Sequence, residues 1–298
     1  MELCLGTVQF GMDYGIRGKK KPPLRDCVEM LDYAVQNGIR TIDTANAYGE
    51  AEDVVGAYLE KNRGPRGSLT VISKFRPNLL DGVSEERYYP VMKANLEESL
   101  RRLHTDYLDG YLLHSARYVF DDAIIETLLR LRKEGLVKKV GVSVYEVEEA
   151  RAGILRGSLD FFQAPYSVLD QRMARDGVFS LAEEHGVPLY TRSAFIQGLM
   201  LMAPSEVPAF LRERAAPILE KVDAVCREAH VSRVQLAIGF VKRQPAISHL
   251  VFGVRNLEQL KEDISVFQQE LPRGMIEELE TRFADVDASI VMPSLWKK

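Results

Sequence analysis

The sequence predicts an α/β fold, a closed (β/α)8 TIM barrel. Short apolar strands alternate with amphipathic helices eight times over roughly 250 residues, which is the usual size of such a barrel. Ionisable residues also end several consecutive strands, and in a barrel the carboxyl ends of parallel strands share one face. An open doubly wound sheet is the alternative that this alternation allows. No linker divides the chain, so we expect one domain over residues 1–298.

The strands are predicted from β-branched and apolar runs that end at turn or polar residues. The second strand, Arg40-Thr41-Ile42, is short and leads into Asp43. In chain order, the predicted strands are Leu3 to Val8, the run that ends at Asp43, Leu69 to Lys74, Tyr107 to Leu113, Val137 to Val142, Phe161 to Gln163, Val187 to Thr191 and His249 to Phe252.

Helices are predicted where apolar residues recur at helical spacing between these strands. Asp26 to Glu29 resembles a capping box at the start of the first of them. The other predicted helices are one that starts near Glu50, Glu85 to Leu103, Asp122 to Lys133, Val147 to Leu155, one within Asp170 to His185, Ala209 to Ala229, Ser232 to Arg243, Leu257 to Phe267 and Arg273 to Phe283.

Composition and charge exclude several classes of partner. A hydrophobic content of 46% with 28% charged residues is typical of a soluble globular protein, and a net charge of -4 predicts neither nucleic acid nor an anionic membrane as partner. The basic cluster Arg17 to Lys21 is interpreted as a solvated loop. Cys4, Cys27 and Cys226 lack metal-type spacing, so we expect reduced thiols in a cytoplasmic protein without a bound metal.

An acid, a phenol, an ammonium and an imidazole follow three consecutive predicted strands. Asp43 ends the second strand, Tyr48 lies in the loop after it, Lys74 ends the third and His114 follows the fourth. Taken singly, the tyrosine can pack in a loop, the aspartate can cap a helix and the histidine can be a core residue. A lysine that ends an apolar strand needs a cavity or a partner. Parallel strands bring all four together, which favours a catalytic site.

These residues resemble the motifs of the aldo-keto reductase family, in order and over nearly the whole chain. The motifs are Leu5-Gly6-Thr7, Asp43-Thr44-Ala45-x-x-Tyr48-Gly49, Ser73-Lys74, Leu112-Leu113-His114, Gly141-Val142-Ser143, Gln163, Arg192-Ser193-x-x-x-Gln197-Gly198, and Gly253-Val254-Arg255 with Gln259, Glu262 and Asp263. The resemblance implies a (β/α)8 barrel, NADPH bound in an extended form at the carboxyl face, and reduction of carbonyl groups.

The resemblance also implies a catalytic role for each of the four residues. Tyr48 is expected to be the general acid, with its pKa lowered by the ammonium of Lys74. Asp43 is expected to hold Lys74 charged and oriented. His114 is expected to hydrogen-bond the substrate oxygen and to help relay the proton.

The cofactor site that the resemblance implies departs from the family at two positions. Ser143 and Gln163 are expected to hydrogen-bond the nicotinamide carboxamide, but Val144 replaces the usual asparagine. Arg192 stands where many relatives stack an aromatic ring on the nicotinamide, and a guanidinium plane can stack there too. A salt bridge elsewhere is the alternative for this arginine.

The phosphate groups and the adenine of the cofactor have expected partners in the last third of the chain. Backbone amides near Ser193 to Leu199 are expected to bind the pyrophosphate. Arg255 with Gln259 is expected to bind a 2′-phosphate, which favours NADPH over NADH, and Glu262 and Asp263 are expected to face the adenine. Thr7, Gln197, Gly198 and Gly253 complete the implied cofactor set.

The first strand opens the sequence directly, whereas family members usually carry a β-hairpin before it. We therefore expect a barrel without that hairpin, whose floor something else must cover. The loop after His114 and the tail after Phe283 are short, which predicts a wide substrate pocket. The residues expected to line it are Phe10, Asn46, Tyr145 and Trp296.

The leading hypothesis is an NADPH-dependent oxidoreductase that reduces aldehyde, ketone or sugar carbonyls to alcohols, in a reversible reaction with a small-molecule substrate. A cofactor-binding regulatory or sensor subunit resembling the cytosolic β subunits of potassium channels is the alternative on the same fold. A metal-dependent isomerase or lyase has less support, because five histidines occur without a paired metal motif.

Overall fold

The computed structural model describes residues 1–61 and 65–296. Eight parallel strands form a closed barrel in chain order, which confirms the TIM-barrel prediction against the open sheet. The strands are β1 (Glu2–Gly6), β2 (Thr41–Asp43), β3 (Thr70–Phe75), β4 (Leu108–Leu113), β5 (Val137–Ser143), β6 (Phe161–Pro165), β7 (Leu189–Arg192) and β8 (Ile247–Gly253). Residues 62–64 and 297–298 of the predicted domain lie outside the described residues.

Helices connect the strands and cover the outside of the barrel. They are α1 (Val8–Gly11), α2 (Leu24–Gln36), α3 (Ala51–Lys61), α4 (Tyr88–Arg102), α5 (Asp122–Lys133), α6 (Val147–Arg156), α7 (Arg172–Arg175), α8 (Val178–Glu184), α9 (Ala209–Ala229), α10 (Arg233–Lys242), α11 (Leu257–Phe267), α12 (Met275–Arg282) and α13 (Ala288–Val291). The expected helix before β7 is the short pair α7 and α8, because Gly177 adopts a φ of 76° between them.

The predicted capping box before α2 is wrong. The helix begins at Leu24, and Pro23 occupies the N-cap position without a side-chain hydrogen bond. Asp26 therefore lies in the first turn, where its carboxylate faces the positive end of the helix dipole. A proline with its fixed φ can start a helix without the side-chain cap that the sequence pattern suggested.

Alternate residues of the strands pack on opposite faces of the barrel wall. Leu3 and Leu5 belong to the large core under the helices, whereas Cys4 between them belongs to a separate buried cluster. That cluster draws one residue from each of six strands, as expected for the filling of the barrel interior. Its members are Cys4, Ile72, Leu112, Phe161, Tyr190 and Val251.

The first described element is β1, and aromatic side chains lie at the barrel floor, the end opposite the predicted site. The ring of Tyr190 stacks on His249 with a centroid distance of 4.1 Å and an interplanar angle of 3°. Phe161 packs against Tyr190 at 5.2 Å, and the hydroxyl of Ser248 lies 3.1 Å from Nδ1 of His249. Side chains of β6, β7 and β8 thus close the end opposite the predicted site.

Candidate active site

Tyr48 lies in the short loop between β2 and α3, and close backbone contacts hold this loop. Gly49 has a φ of 58°, and a Cβ there would lie 2.3 Å from the carbonyl oxygen of Gly11. Glycine alone fits both constraints. The guanidinium of Arg102 donates to the carbonyl of Gly49 and lies 2.6 Å from Asp53, which ties the loop to α3 and α4. The backbone of the loop that carries Tyr48 is therefore fixed by its contacts with α1, α3 and α4.

Asp43 joins two of its neighbours beneath the loop. Nζ of Lys74 donates to Oδ1 of Asp43 at 2.6 Å and to the carbonyl of Thr44 at 2.9 Å, and the Lys74 side chain is completely buried. Nε2 of Gln163 donates to Oδ2 of Asp43 at 2.8 Å. Because a carboxylate only accepts hydrogen bonds, it fixes the amide nitrogen of Gln163 and leaves the amide oxygen for other partners.

Tyr48 contacts the two other members of the predicted quartet. Its ring centroid lies 5.0 Å from Nζ of Lys74 and 5.6 Å from the ring of His114, which approaches edge-on. Burial raises the pKa of Tyr48, the charge of Asp43 raises it further, and Arg192 opposes both. The expectation that the pKa of Tyr48 is lowered is therefore wrong for the protein alone, because burial and the charge of Asp43 outweigh any stabilisation of the phenolate. The charge of the ammonium is taken up by Asp43, and a phenolate would form in poorly solvated surroundings.

His114 lies at the end of β4 and carries no charge at neutral pH. Burial lowers its pKa to about 3, and the nearby cations Lys74 and Arg192 contribute in the same direction. Its Nδ1 atom is buried and has no hydrogen-bond partner within the described part of the chain. The ring is therefore a neutral group with one donor and one acceptor nitrogen, in contact with the Tyr48 phenol.

These residues open into one elongated cavity of about 400 Å³, which lies within the size range of ligand pockets. Asp43, Tyr48 and His114 line one part of the cavity. Lys74 does not line it but contacts Asp43 from behind the cavity wall. Most of the predicted cofactor residues also line the cavity: Thr7, Gln163, Arg192, Ser193, Gln197, Gly198, Gly253, Arg255, Gln259, Glu262 and Asp263. Ser143 is buried and is not part of the described wall.

Of the four residues expected in a substrate pocket, Tyr145 lines the cavity, and the other three expectations are wrong. Phe10 is 1% exposed and packs in the core under the helices. The amide of Asn46 is buried, with Nδ2 3.4 Å from Oγ of Ser99. The indole of Trp296 donates to the carbonyl of Ile290 at 3.1 Å, so the tail packs against its own preceding turn. Strand ends and tail position do not determine where a side chain points.

Gln9 and Tyr14 are among the cavity residues that are absent from the sequence-based set. Both follow the carboxyl end of β1, so the reasoning that selected Tyr48 after β2 could have found them. Oε1 of Gln9 is buried and unpaired within the described residues, and burial raises the pKa of Tyr14 to about 12. A cavity with an unpaired amide oxygen and a neutral phenol at this edge can accept a polar ligand group.

The loop after β7 has an unusual backbone. Ser193, Ile196, Gln197 and Gly198 all have positive φ values, of 69°, 47°, 54° and 94°. Only glycine adopts this region readily, so three non-glycine residues in it mark a loop held by its surroundings. The amides of Ile196 and Gly198 donate to the carbonyls of Ser193 and Phe195 at 2.9 and 2.8 Å, and these bonds hold the turn.

Arg192 ends β7 and lies in the cavity wall. Nη2 donates to the carbonyl of Val144 at 2.9 Å, Nη1 lies 3.3 Å from Oγ of Ser193, and the guanidinium carbon lies 4.2 Å above the ring of Tyr145. The salt bridge considered as the alternative is not found among the described residues. The stacking on a nicotinamide stays a prediction, with one face of the guanidinium already covered by Tyr145.

Arg255 follows β8 and holds the segment after α1. Its guanidinium donates to the carbonyl of Tyr14, to that of Lys19 at 3.1 Å and to that of Lys20 at 3.4 Å. The amide of Ile16 donates to the carbonyl of Gln197 at 3.1 Å. The backbone around the basic segment is thus held by the loops after β7 and β8, while residues 17–21 are exposed, as expected for a solvated loop.

Asp263 on α11 lies at the far end of the cavity and is 5% exposed. Burial raises its pKa to about 7, and the neighbouring Glu262 contributes in the same direction. At neutral pH a large share of this carboxyl group is protonated and can donate a hydrogen bond. In its protonated form this carboxyl group has one O–H donor as well as an acceptor oxygen.

The fold and the site define a class of protein: a (β/α)8 barrel with an acid, phenol, ammonium and imidazole site at the carboxyl end of its strands. The Aldo/keto reductase family profile matches residues 2–282. The chain belongs to the aldo/keto reductase family, a family of oxidoreductases that use nicotinamide cofactors.

Curated relatives and solved structures agree with this membership. An NADH-specific methylglyoxal reductase of Escherichia coli is 27% identical, with 89% of this chain and 86% of that protein covered. An NAD/NADP-dependent indole-3-acetaldehyde reductase of Schizosaccharomyces pombe is 26% identical, with 91% and 89% covered. The holo form of an aldo-keto reductase from Bacillus halodurans superposes with a TM-score of 0.75 at 20% identity over 99% of this chain and 95% of that one, which shows the fold.

Two other findings concern features outside the site. Across residues 1–61 and 65–296, no helix has the length and apolar character to cross a membrane. Over the same residues, no group of three or more His, Cys, Asp or Glu side chains is arranged to hold a metal ion.

Proposed function

We propose that this protein is an NADPH-dependent reductase of aldehyde, ketone or sugar carbonyls, with Tyr48 as the general acid and a reversible reaction. The observation that carries the proposal is the contact of one phenol with both a buried ammonium and a neutral imidazole. Lys74 and His114 lie 5.0 and 5.6 Å from the Tyr48 ring at the closed end of the cavity. A carbonyl there meets two hydrogen-bond donors.

A neutral phenol suits the direction of reduction. Its raised pKa keeps Tyr48 protonated at neutral pH, so the hydroxyl is ready to donate to the substrate oxygen as negative charge develops on it. Nζ of Lys74 lies close enough to stabilise the phenolate that remains after the transfer. Asp43 keeps the ammonium in place, and burial of the pair excludes water from it.

His114 is assigned to positioning the substrate oxygen. The neutral ring contacts Tyr48 edge-on, and it lines the same end of the cavity. An N–H of the imidazole can donate to the carbonyl oxygen beside the phenol, so that two donors converge on the developing negative charge. Because the ring is uncharged, it does so without repelling Lys74.

We assign this cavity to an extended nicotinamide dinucleotide, which would supply the hydride when it is bound. Gln163 offers its free amide oxygen to the carboxamide, with buried Ser143 beside it in the sequence-based assignment. The positive-φ loop of Ser193, Gln197 and Gly198 suits the pyrophosphate. The remaining parts of the cofactor, including the adenosine, are assigned to Thr7, Gly253, Gln259, Glu262 and Asp263.

NADPH is proposed over NADH on the strength of the charges at the mouth of the cavity. Arg255 has no carboxylate partner within the described residues, and it holds the carbonyls of Lys19 and Lys20. The guanidinium of Arg255, which lines the cavity, therefore places a positive charge close to the assigned position of the adenosine. A 2′-phosphate adds two negative charges there and can form charge-assisted hydrogen bonds with the guanidinium.

A screen of aldehydes, ketones and aldoses with NADPH and with NADH tests the proposal. We expect oxidation of NADPH with part of the panel, and we expect Tyr48→Phe to lower kcat by about 10²–10⁴-fold, the usual contribution of a general acid. The matched control is Tyr89→Phe, which removes a phenol oxygen on the outer helix α4 and should leave the rate unchanged. Equal rates for wild type and Tyr48→Phe would reject Tyr48 as the acid.

The activity screen, combined with a measurement of cofactor binding, distinguishes an enzyme from a sensor subunit. A regulatory protein on this fold would bind NADPH, measurable as a change in cofactor fluorescence, without turning over any carbonyl in the panel. Binding without turnover in the wild type would replace the reductase proposal by the sensor alternative.

The cytosol remains the proposed compartment. Cys4, Cys27 and Cys226 are all free thiols, and Cys4 and Cys27 are buried. Free cysteines in this arrangement are typical of a reducing compartment. Fractionation of cells that express the protein, followed by detection in the cytosolic fraction, tests this assignment.

A further inference from the structure

Glu52 is an ionisable side chain that the fold buries completely. It lies in the first turn of α3, is 0% exposed and does not line the cavity. Burial raises its pKa, and hydrogen bonds and the charge of Arg102 oppose that rise. An apolar residue would fill this position between the strands and the helices without the cost of taking a carboxyl group out of water. The partners of this carboxyl group therefore indicate its role.

One oxygen of Glu52 contacts the strand that carries Lys74. The hydroxyl of Ser73 donates to Oε1 of Glu52 at 2.6 Å, and both side chains are buried. Successive residues of a strand point to opposite faces of the sheet. Ser73 faces the helices, whereas Ile72 before it belongs to the cluster in the barrel interior. The carboxyl group of Glu52 thus holds β3 one residue before Lys74.

The other oxygen faces the cation that holds the loop of Tyr48. Nη1 of Arg102 lies 3.2 Å from Oε2 of Glu52, and the Arg102 side chain is 11% exposed. The same guanidinium donates to the carbonyl of Gly49, and to that of Asn46 at 3.5 Å. These two carbonyls lie on either side of Tyr48 in the chain. Arg102 thus connects the buried carboxyl group with the backbone that carries the phenol.

Close packing of two helices sets the position of Arg102. Gly56 of α3 lies against the backbone of Arg102 at the end of α4, and a Cβ at residue 56 would be 2.0 Å from the carbonyl oxygen of Arg102. Glycine therefore allows this approach. Asp53 also pairs with Arg102, at 2.6 Å, but its side chain is 53% exposed, so water competes for the contact. The partner of the guanidinium that is shielded from water is Glu52.

We propose that Glu52 is a positioning residue for proton transfer from Tyr48. Through Ser73 it holds the strand of Lys74, and through Arg102 it holds the loop of the phenol. The ammonium can stabilise the phenolate only while Nζ stays near the Tyr48 ring, from whose centroid it lies 5.0 Å. This inference rests on the proposed reductase function and adds to it a residue outside the cavity wall.

Two substitutions at residue 52 test the inference. Glu52→Leu removes both contacts at similar volume, and kcat is measured per NADPH-binding site with the aldehyde that the wild type reduces fastest. We expect kcat to fall by about 10–100-fold, the usual cost of a displacement of about 1 Å. KM and the dissociation constant of NADPH should change by less than about threefold, because the contact acts on the transition state. Glu52→Gln keeps one acceptor oxygen and should recover part of the loss.

The solvent deuterium isotope effect on kcat separates positioning from a loss of folded protein. A displaced phenol slows proton transfer, so the isotope effect should rise in Glu52→Leu. Loss of folded protein would lower the measured rate without changing the isotope effect. A lower kcat with an unchanged isotope effect would therefore overturn the inference. Arg102→Lys, which keeps the charge but not the planar fork, should show the same rise and serves as a second variant where Glu52→Leu does not fold.

Two matched carboxylates are the controls. Asp53→Asn removes the exposed partner of the same guanidinium and should lower kcat less than Glu52→Leu does. Glu278→Gln removes an exposed carboxylate of α12 from its pair with Arg282 and should leave kcat and the isotope effect unchanged. An equal loss in Asp53→Asn and Glu52→Leu would overturn the assignment of the role to the buried carboxyl group.

Hydrogen–deuterium exchange keeps this test separate from the reductase proposal, because it needs no turnover. The amides of residues 44–50 should exchange faster in Glu52→Leu than in the wild type, and at the wild-type rate in Glu278→Gln. Absence of turnover with every carbonyl in the wild type would reject the reductase, and the inference with it. Turnover by the wild type, with neither a lower kcat nor faster exchange in Glu52→Leu, would reject the positioning role alone.

Discussion

The ammonium of Lys74 lies 2.6 Å from Oδ1 of Asp43, and the two side chains are 0% and 3% exposed. This buried pair lies at the centre of the proposed site, with Nζ of Lys74 5.0 Å from the centroid of the Tyr48 ring. Its geometry has consequences for stability as well as for catalysis, because neither charge has access to water.

Removal of one member of this pair should be costly. Lys74→Met leaves the Asp43 carboxylate buried with Gln163 as its remaining donor, and we expect the free energy of unfolding to fall by about 3–5 kcal/mol. The double variant Asp43→Asn with Lys74→Met should lose less than the sum of the two single variants. Equilibrium unfolding in urea at pH 7 measures all of these values.

The control for this prediction is an exposed pair. Lys242 lies 2.7 Å from Glu270, whose side chain is 61% exposed, and Lys242→Met should cost no more than about 1 kcal/mol. A loss for Lys74→Met as small as that of the control would show that the buried pair contributes little to folding.

The pH dependence of the reaction should be flat around neutrality. His114 has its pKa lowered to about 3 by burial, and the pKa of Tyr48 is raised, so neither group changes charge between about pH 5 and 8. We expect kcat/KM for reduction to vary less than about threefold over this range, with a lower rate but the same profile in His114→Gln. An acidic limb near pH 6.5 that disappears in His114→Gln would contradict a neutral imidazole.

Folding stability should respond to His114 with a definite sign. The unfolded chain takes up a proton near pH 6.5, whereas the folded protein takes it up near pH 3. The unfolded state therefore binds more protons between these values, and the contribution of His114 to stability is lost as the pH falls through that window.

The residues at the carboxyl ends of the predicted strands allowed the candidate site to be predicted, for a physical reason. Asp43, Lys74 and His114 could be brought together from the sequence because parallel neighbouring strands present their carboxyl ends on one face. The pKa values of Tyr48 and Asp263 could not be predicted in this way, because the burial of both side chains depends on packing from distant parts of the chain. The expected lowering of the pKa of Tyr48 failed for this reason.

Side-chain direction was the other quantity beyond the reach of the sequence. Phe10 and Asn46 follow strand ends as Tyr145 does, yet packing turns the first two away from the cavity. The stack of Tyr190 on His249 at the barrel floor depends on the register of β7 against β8, in which these two residues are partners next to an irregularity at Leu189 and Tyr190. The position of a residue after a strand predicts that it lies at the carboxyl edge of the barrel. Whether its side chain faces the cavity depends on tertiary packing.

Asp263 should make the protein less stable as the pH rises. Its pKa is raised from 3.8 to about 7, so the folded state binds the proton more tightly, and the stabilisation present at low pH is lost between about pH 4 and 7. We expect Asp263→Asn to raise the unfolding temperature relative to wild type, with a gain that is larger at pH 8 than at pH 5. Glu262→Gln should give a smaller gain, since its charge is the secondary cause. A gain that does not depend on pH would contradict the raised pKa.

Arg255 should distinguish the two reduced cofactors. The guanidinium is held by backbone carbonyls, which do not neutralise its charge, and it lies at the assigned end of the adenosine. We expect Arg255→Met to weaken NADPH binding by about 10–100-fold, the range for hydrogen bonds to a charged group, and NADH binding by less than about threefold. Fluorescence titration of both cofactors measures the two dissociation constants.

Lys20→Gln, which retains the backbone carbonyl that Arg255 contacts, is the control and should change either constant by less than about threefold. Equal losses for NADPH and NADH in Arg255→Met would mean that this arginine acts by holding the segment of Tyr14 to Lys20 across the cavity, and would remove the case for a 2′-phosphate contact.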